Sequence, residues 1–169
     1  RILKALELPE TPQAAHRLLV GVGCWPPEHN PYPARSNVTV TDPELPVPAN
    51  PWNTDHWPGV SSSGSGVAAA ARLCCATIGT DTGGSIRLPS AANGVVGIKP
   101  TYGRVSRHNA FPLSESLDHI GPMAGCVEDA ALVLNAIAGY DDADPTSLDV
   151  EVPDFTAGIG RDIRGLRIG

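Results

Sequence analysis

The clearest periodic pattern in the chain predicts a helix from Val127 to Ala138. Its apolar positions recur at the three- and four-residue spacing of one helix face: Val127, Ala130, Ala131, Leu134, Ile137 and Ala138. Glu128 and Asp129 stand in the first turn, where carboxylates interact favourably with the helix dipole. Gly139 follows the last turn and is suited to end the helix. Both the apolar face and the two ends of this helix are therefore marked in the sequence.

Shorter apolar segments precede this helix, and they predict further helical and strand elements. The small residues from Gly66 to Cys75 predict a buried helix, since alanine is a strong helix former. Ala76 to Gly79 predict a short central strand, and Val95 to Lys99 predict another strand. Strands separated by helices are typical of an α/β sheet with helices outside. We therefore predict the α/β class.

The two ends of the chain lack this regularity. Residues 1–24 predict a helical segment of unclear relation to the rest, and the proline-rich residues 25–57 predict an extended segment. Residues 58–139 form the predicted core, and residues 140–169 predict an acidic loop followed by the start of a further strand. The chain begins with Arg1 and its only methionine is Met123, so we expect a fragment of a longer protein.

Composition excludes several classes of function. A formal net charge of −6 argues against binding to a nucleic-acid backbone. No apolar run approaches the roughly 18 residues that span a membrane, and no signal-peptide pattern opens the chain. The four cysteines show no zinc-like spacing: Cys24, Cys74, Cys75 and Cys126. Cys74 and Cys75 lie in the predicted apolar helix, so we expect buried free thiols and a cytoplasmic protein.

A polar, glycine-rich loop stands between the apolar segments, from Gly79 to Pro89. Two glycines precede a single serine, Ser85, and glycine lets the backbone approach a ligand closely. Successive N–H groups in such a turn form a concave anion site. A hydroxyl beside those donors is the arrangement that acyl transfer requires, namely a nucleophile next to an oxyanion hole.

A second serine cluster lies upstream, from Gly59 to Gly66. Taken alone, a Ser/Gly cluster is most often a flexible linker. This cluster is short, however, and runs directly into the alanine-rich helix. The chain between Ser61 and Ser85 is long enough for one helix and one strand, which would return it to the same sheet edge. A serine pair brought together in this way can share a proton.

Several linked motifs make the chain resemble the amidase signature family over Asn50 to Gly139. They are Pro58 to Gly66, Gly79 to Pro89, Gly94 to Ser106, Ser116 to Met123 and Val127 to Ala131. The resemblance implies a large mixed sheet covered by helices, of which this chain would hold a partial sheet. It also implies a Ser–Ser–Lys triad that needs no metal or organic cofactor.

The resemblance further implies a role for individual residues. It implies Ser85 as the nucleophile and Ser61 as the bridging serine, with a cis peptide bond before Ser61. It implies an oxyanion hole in the backbone of Thr82, Gly83 and Gly84. The family's lysine lies farther upstream than the resemblance extends, so Lys4 is left unassigned and Lys99 is interpreted as structural.

Other residues of these motifs have plainer interpretations. Ser62 is interpreted as a turn residue or a supporting hydrogen-bond partner, and Asp81 and Arg87 are interpreted as a pair that holds the loop. Histidines such as His108 and His119 raise a Ser–His–Asp alternative, but the chain lacks the Gly-x-Ser-x-Gly nucleophile elbow. The phosphate-binding P-loop pattern is also absent.

Three hypotheses about function remain open. The first is hydrolysis of a small carboxamide through an acyl-serine intermediate, by a protein that does not bind nucleic acid or membranes and is compatible with a homo-oligomer. The second is a non-catalytic remnant that lacks the triad lysine. The third is the amide-cleaving subunit of an amidotransferase complex. We expect the 169-residue chain to be inactive when expressed alone, because a serine hydroxyl needs a base.

Overall fold

The computed structural model of the protein describes residues 48–167. Its elements in chain order are α1 (Ser63–Ala70), β1 (Ala76–Asp81), α2 (Arg87–Asn93), β2 (Val96–Gly97), β3 (His119–Ala124) and α3 (Val127–Ile137). The helix predicted within residues 1–24 and most of the proline-rich segment lie outside the described residues. Leu166 and Arg167 are not part of a strand, and the rest of the strand predicted there also lies outside.

The three described strands form one antiparallel sheet in the order β1-β3-β2. The prediction of β1 as a central strand was wrong for the described residues, because β3 occupies the centre. Sequence pattern did not reveal β3, since Gly121 and Pro122 are both depleted in strands. Pro122 faces Ile78 across the sheet, and its carbonyl accepts a hydrogen bond from the Ile98 N–H (3.0 Å). The predicted strand from Val95 to Lys99 is reduced to the two residues of β2.

Helices cover both faces of this sheet, which confirms the α/β class with an incomplete sheet flanked by helices. On one face, Ile78 and Ile120 pack with Leu134 and Ile137 of α3. On the other face, Gly79 has no room for a side chain, because Met123 of β3 and the residues that directly precede α1 and α2 pack against it. A Cβ at Gly79 would lie 2.9 Å from Met123 Sδ. The alternation of side chains along β1 thus divides the core into two layers.

Helix α1 ends five residues earlier than predicted. The N–H groups of Arg72 and Leu73 donate to the carbonyls of Ala69 (3.2 Å) and Ala68 (3.0 Å), and Arg72 has a left-handed φ of 56°. This pair of bonds is a Schellman ending, in which glycine usually occupies the left-handed position. Because arginine stands there instead, no sequence signal marks the end of this helix.

The early end of α1 also corrects the expectation for the thiols. Cys74 and Cys75 lie in the turn after α1 and are exposed, and Cys126 is exposed as well. They are free thiols, as expected, but they are not buried. No helix among residues 48–167 has the length and apolar character needed to cross a membrane.

Helix α3 agrees with its predicted bounds to one residue. Cys126 occupies the N-cap, where its Sγ accepts the Asp129 N–H at 3.5 Å. Glu128 and Asp129 lie in the first turn, and Gly139 follows the helix with a φ of 136°. The prediction of this helix is confirmed.

Candidate active site

Strand β1 ends at Asp81, and the carboxylate of Asp81 holds the loop that follows. Asp81 is fully buried and accepts the N–H groups of Gly84 (2.7 Å), Ile86 (3.2 Å) and Arg87 (3.4 Å). The Arg87 guanidinium adds a two-point ion pair, with Nε 2.9 Å from Oδ2 and Nη2 3.0 Å from Oδ1. Ser85 lies between the anchored residues, so one carboxylate fixes the conformation of the loop that carries it.

These contacts change the acidity of Asp81. Burial by itself raises the pKa of the Asp81 carboxyl, because it disfavours the charged form. The hydrogen bonds from Arg87 and from the backbone of Ile86 and Gly84 outweigh that effect and lower the pKa to about 2. Asp81 is therefore an ionised structural anchor at neutral pH, and it is not suited to act as a proton donor or acceptor in catalysis.

The upstream serine cluster is fastened to the same strand. Ser62 Oγ accepts the Thr80 N–H (3.1 Å) and donates to the Thr80 carbonyl (3.2 Å). Ser65 Oγ donates to the Ile78 carbonyl at 2.8 Å. These contacts place the first turn of α1 beside the C-terminal half of β1. The cluster is therefore a helix start packed on the sheet, and the linker interpretation does not hold.

Ser61 directly precedes this anchored turn and is exposed. The prediction of a cis bond between Val60 and Ser61 was wrong, because residues 48–167 contain no cis peptide bond. Instead, Ser61 has a left-handed φ of 54°, a region that residues other than glycine seldom adopt. The unusual backbone feature at Ser61 is therefore its left-handed φ and not a cis peptide bond.

Ser61 and Ser85 line the same cavity, which has a volume of about 490 Å³. The loop after β1 contributes Thr82 to its wall, and residues 107–120 contribute most of the rest. The lining side chains that can ionise are Arg107, His108, Glu115, Asp118, His119 and Asp144. The fold therefore brings to one concave surface the two serines that the sequence leaves 24 residues apart.

Only some backbone N–H groups of the serine loop are free to bind a ligand. The Gly84 N–H is taken by Asp81, so this predicted oxyanion donor serves the loop in the structure. The amides of Thr82, Gly83 and Ser85 have no acceptor among residues 48–167. Gly83 is exposed, and a Cβ at this position would meet nothing within 4 Å. The donors that remain free in the serine loop are thus those of Thr82, Gly83 and Ser85.

Two cavity residues were missed by the sequence analysis as functional candidates. The buried Asp118 accepts the Thr82 hydroxyl at Oδ1 and accepts the N–H groups of Leu113 (2.7 Å) and Ser114 (2.8 Å) at Oδ2. Asp118 stands inside the motif from Ser116 to Met123, which served only as a marker of resemblance. A lone aspartate in a motif carries no signal about a partner 36 residues away.

The second residue is Arg107. Its guanidinium donates from Nη1 to the Glu115 carbonyl (2.7 Å) and from Nη2 to Thr146 Oγ1 (2.8 Å). Nη2 also donates to the Tyr102 hydroxyl (3.0 Å), and the guanidinium lies over the Tyr102 ring, 4.9 Å from its centroid. Arg107 therefore ties together two segments of the cavity wall, at Glu115 and Thr146, and also contacts Tyr102 outside the lining.

The lysines and histidines weighed as a base lie in different places. Lys4 lies outside the described residues, and Lys99 does not line the cavity. His108 and His119 do line it. His119 Nδ1 lies 2.6 Å from the Leu117 carbonyl, which fixes the ring and assigns the Nδ1–H tautomer. Residues 48–167 hold no group of three or more His, Cys, Asp or Glu side chains suited to a metal ion.

Two family models match the chain. The model described as Amidase matches residues 36–169, and the model described as Double HTH domain matches residues 1–31. The amidase match covers more than half of the chain and includes every described element. The second match falls entirely outside the described residues.

Relatives of known name support the first match. A glutamyl-tRNA(Gln) amidotransferase subunit of Trichlorobacter lovleyi is 58% identical over 120 residues, which are 71% of this chain and 25% of that protein. The crystal structure of the corresponding Thermotoga maritima protein has a TM-score of 0.60 and 46% identity, covering 62% of this chain and 23% of that one. The native peptide amidase of Stenotrophomonas maltophilia has a TM-score of 0.62 and 56% identity, covering 64% and 23%. The chain thus spans about a quarter of the length of these relatives.

Proposed function

This chain belongs to the amidase family, and from that membership we propose that the whole protein hydrolyses a carboxamide through an acyl-serine intermediate on Ser85. The observation that carries the proposal is that Ser61 and Ser85 line one cavity beside three free loop amides. A nucleophilic hydroxyl next to backbone donors is what an acyl transfer requires.

In the proposed reaction, Ser61 accepts the proton of Ser85 and passes its own to a base. The Ser85 oxygen attacks the amide carbonyl carbon, and the free amides of Thr82, Gly83 and Ser85 are the donors to the oxygen that becomes negative. The proton then returns to the leaving nitrogen as the C–N bond breaks. Water attacks the resulting ester and releases the carboxylate, so one carboxamide and one water give one carboxylate and one amine or ammonia.

The base in this proposal is the neutral lysine of the family's Ser–Ser–Lys triad. Lys99 is not that residue, because it does not line the cavity. A lysine acts as a base near neutral pH only when burial or neighbouring donors lower its pKa. His119 lines the cavity and its Nδ1 is held by the Leu117 carbonyl, so the histidine alternative is tested by the His119→Gln variant described next.

The test uses the full-length protein and its Ser85→Ala variant. Ammonia release from simple carboxamides should fall at least about a thousandfold in Ser85→Ala, and a fluorophosphonate probe should label the wild type at Ser85 only. Ser63→Ala is the matched control, since Ser63 stands in the same cluster as Ser61 but does not line the cavity. Labelling at another residue, or turnover by Ser85→Ala, would contradict the assignment. A loss of turnover in His119→Gln as complete as that in Ser85→Ala would replace the lysine by His119.

A second candidate is an amide-cleaving component of an amidotransferase. It is favoured by relatives of 55–58% identity that are themselves named as glutamyl-tRNA(Gln) amidotransferase subunits. In that case ammonia release should be specific for glutamine and should require partner subunits. Ser85-dependent turnover of other carboxamides by the purified protein alone would exclude this candidate.

A further inference from the structure

Asp118 makes contacts on two sides of the cavity at once. One carboxylate oxygen, Oδ1, accepts the hydroxyl of Thr82 in the serine loop. The other, Oδ2, accepts the backbone N–H groups of Leu113 (2.7 Å) and Ser114 (2.8 Å). The Asp118 side chain is nearly inaccessible to solvent, at 9% exposure, so these bonds are shielded from competing water.

The segment that Asp118 holds is a wall of the cavity. Phe111, Pro112, Leu113 and Glu115 all line it. The segment is fixed a second time at Glu115, whose carbonyl accepts Arg107 Nη1 (2.7 Å) and the Tyr102 hydroxyl (2.5 Å). The wall therefore has two independent anchors, and only the Asp118 anchor reaches the serine loop.

The contact with Thr82 bears directly on the proposed oxyanion hole. The peptide unit between Thr82 and Gly83 carries the Gly83 N–H, one of the three free donors. A hydrogen bond that fixes the Thr82 side chain restrains the backbone of Thr82 and hence the direction of that N–H. Oxyanion donors act only when they are aimed at the developing charge, and an error of about 1 Å in placement is costly.

We propose that Asp118 is a positioning residue that joins the oxyanion loop, through the Thr82 hydroxyl, to the substrate-facing wall at residues 111–115. This inference rests on the proposed function, because it assigns Asp118 a role in the same acyl-transfer site. Asp118 itself does not touch the reacting atoms in this assignment.

The main test is a pair of substitutions at Thr82 in the full-length protein. Thr82→Val keeps the shape of the side chain and removes the hydroxyl, so kcat should fall about tenfold because one oxyanion donor is less well aimed. The KM should change less than about twofold, because the wall keeps its bonds to Asp118. Thr82→Ser restores a hydroxyl and should recover most of the lost kcat.

Asp118→Ala removes both sets of bonds and should therefore lower kcat and raise KM together, severalfold each. Adding Thr82→Val to Asp118→Ala should lower kcat no further, because the shared bond is already absent. Asp154→Asn is the matched control. Asp154 also accepts a threonine hydroxyl and a backbone N–H, from Thr156, but lies outside the cavity, and its kcat and KM should equal those of the wild type.

Equal kcat values for Thr82→Val and Thr82→Ser would overturn the inference. It would also be overturned if the fold-reduction in kcat of the double variant equalled the product of the reductions in Thr82→Val and Asp118→Ala. If Asp118→Ala fails to fold, the two Thr82 variants decide alone. Ser85→Ala is measured beside them to separate the two proposals. Turnover that survives in Ser85→Ala refutes the proposed function, whereas a Ser85-dependent enzyme indifferent to the Thr82 hydroxyl refutes only the role of Asp118.

Discussion

Substitution of Asp81 by asparagine removes the charge that holds the serine loop, and its effect on stability should depend on pH in a defined way. In the wild type the ionised carboxylate accepts five hydrogen bonds from Gly84, Ile86 and Arg87. Asparagine has the same shape, but it has one acceptor oxygen and turns an NH₂ group toward donors. Asp81→Asn should therefore lower both the free energy of unfolding and the rate of Ser85 acylation.

The magnitude follows from the acidity of Asp81. Its pKa is lowered from 3.8 to about 2 in the folded state, because hydrogen bonds from Arg87 and the loop amides outweigh the effect of burial, which by itself raises it. Each pKa unit corresponds to about 1.4 kcal/mol, so a shift of nearly two units means that the ionised form contributes at most about 2.5 kcal/mol. We expect Asp81→Asn to lose about 1–2 kcal/mol, which is below that limit, because the Arg87 side chain is 54% exposed and its charge is screened by solvent.

The sign of the pH dependence is fixed by the direction of the shift. A carboxyl whose folded pKa lies below its unfolded pKa stabilises the protein fully above the unfolded value, and that contribution is lost as pH falls through the folded value. The difference between wild type and Asp81→Asn should thus be constant from roughly pH 7 to 5 and should shrink mostly between roughly pH 3.5 and 2.

The assay is urea unfolding of the full-length protein at several pH values, followed by a spectroscopic signal. Arg87→Ala should cost about 1 kcal/mol or less, since the three backbone donors still hold the carboxylate. Asp162→Asn is the control, because it also breaks an Arg–Asp pair, with Arg164, but one that is exposed on both sides. An Asp81→Asn deficit that equals the Asp162→Asn deficit, or that stays constant down to about pH 2, would refute this reasoning.

Two further predictions concern packing and capping. Gly79→Ala should lower the free energy of unfolding by about 1–3 kcal/mol, because its Cβ would lie 2.9 Å from Met123 Sδ, whereas Gly83→Ala should leave Tm nearly unchanged, because its Cβ would meet nothing within 4 Å. Equal Tm values for the two variants would contradict the packing described for β1. Cys126→Ser should stabilise the protein by about 0.5–1 kcal/mol and raise Tm, because a hydroxyl caps the Asp129 N–H better than a thiol does; an unchanged or lower Tm would contradict that role.

The sequence alone determined the elements whose signals are local. Helix α3 has apolar residues at helical spacing and charges suited to its first turn, so its bounds are predicted to one residue. The glycine-rich loop that carries Ser85, and its position directly after a strand, also follow from neighbouring residues. Those features depend on contacts between residues close in the chain, which a sequence pattern records.

Tertiary structure decided the features that depend on contacts between distant residues. Strand β3 lies at the centre of the described sheet despite Gly121 and Pro122, because pairing with β1 outweighs its poor strand propensity. Ser61 has a left-handed φ where a cis bond was predicted. The next residue, Ser62, is held by hydrogen bonds to Thr80, which is 18 residues away in the sequence.

The bond from Thr82 to Asp118 is of the same kind, since the two residues are 36 positions apart. No residue type at either position predicts the other, because many side chains can accept or donate a hydrogen bond. The sequence therefore determined which residues could perform the chemistry. Only the packing of α1, the serine loop and residues 107–120 around one cavity decided which of them meet.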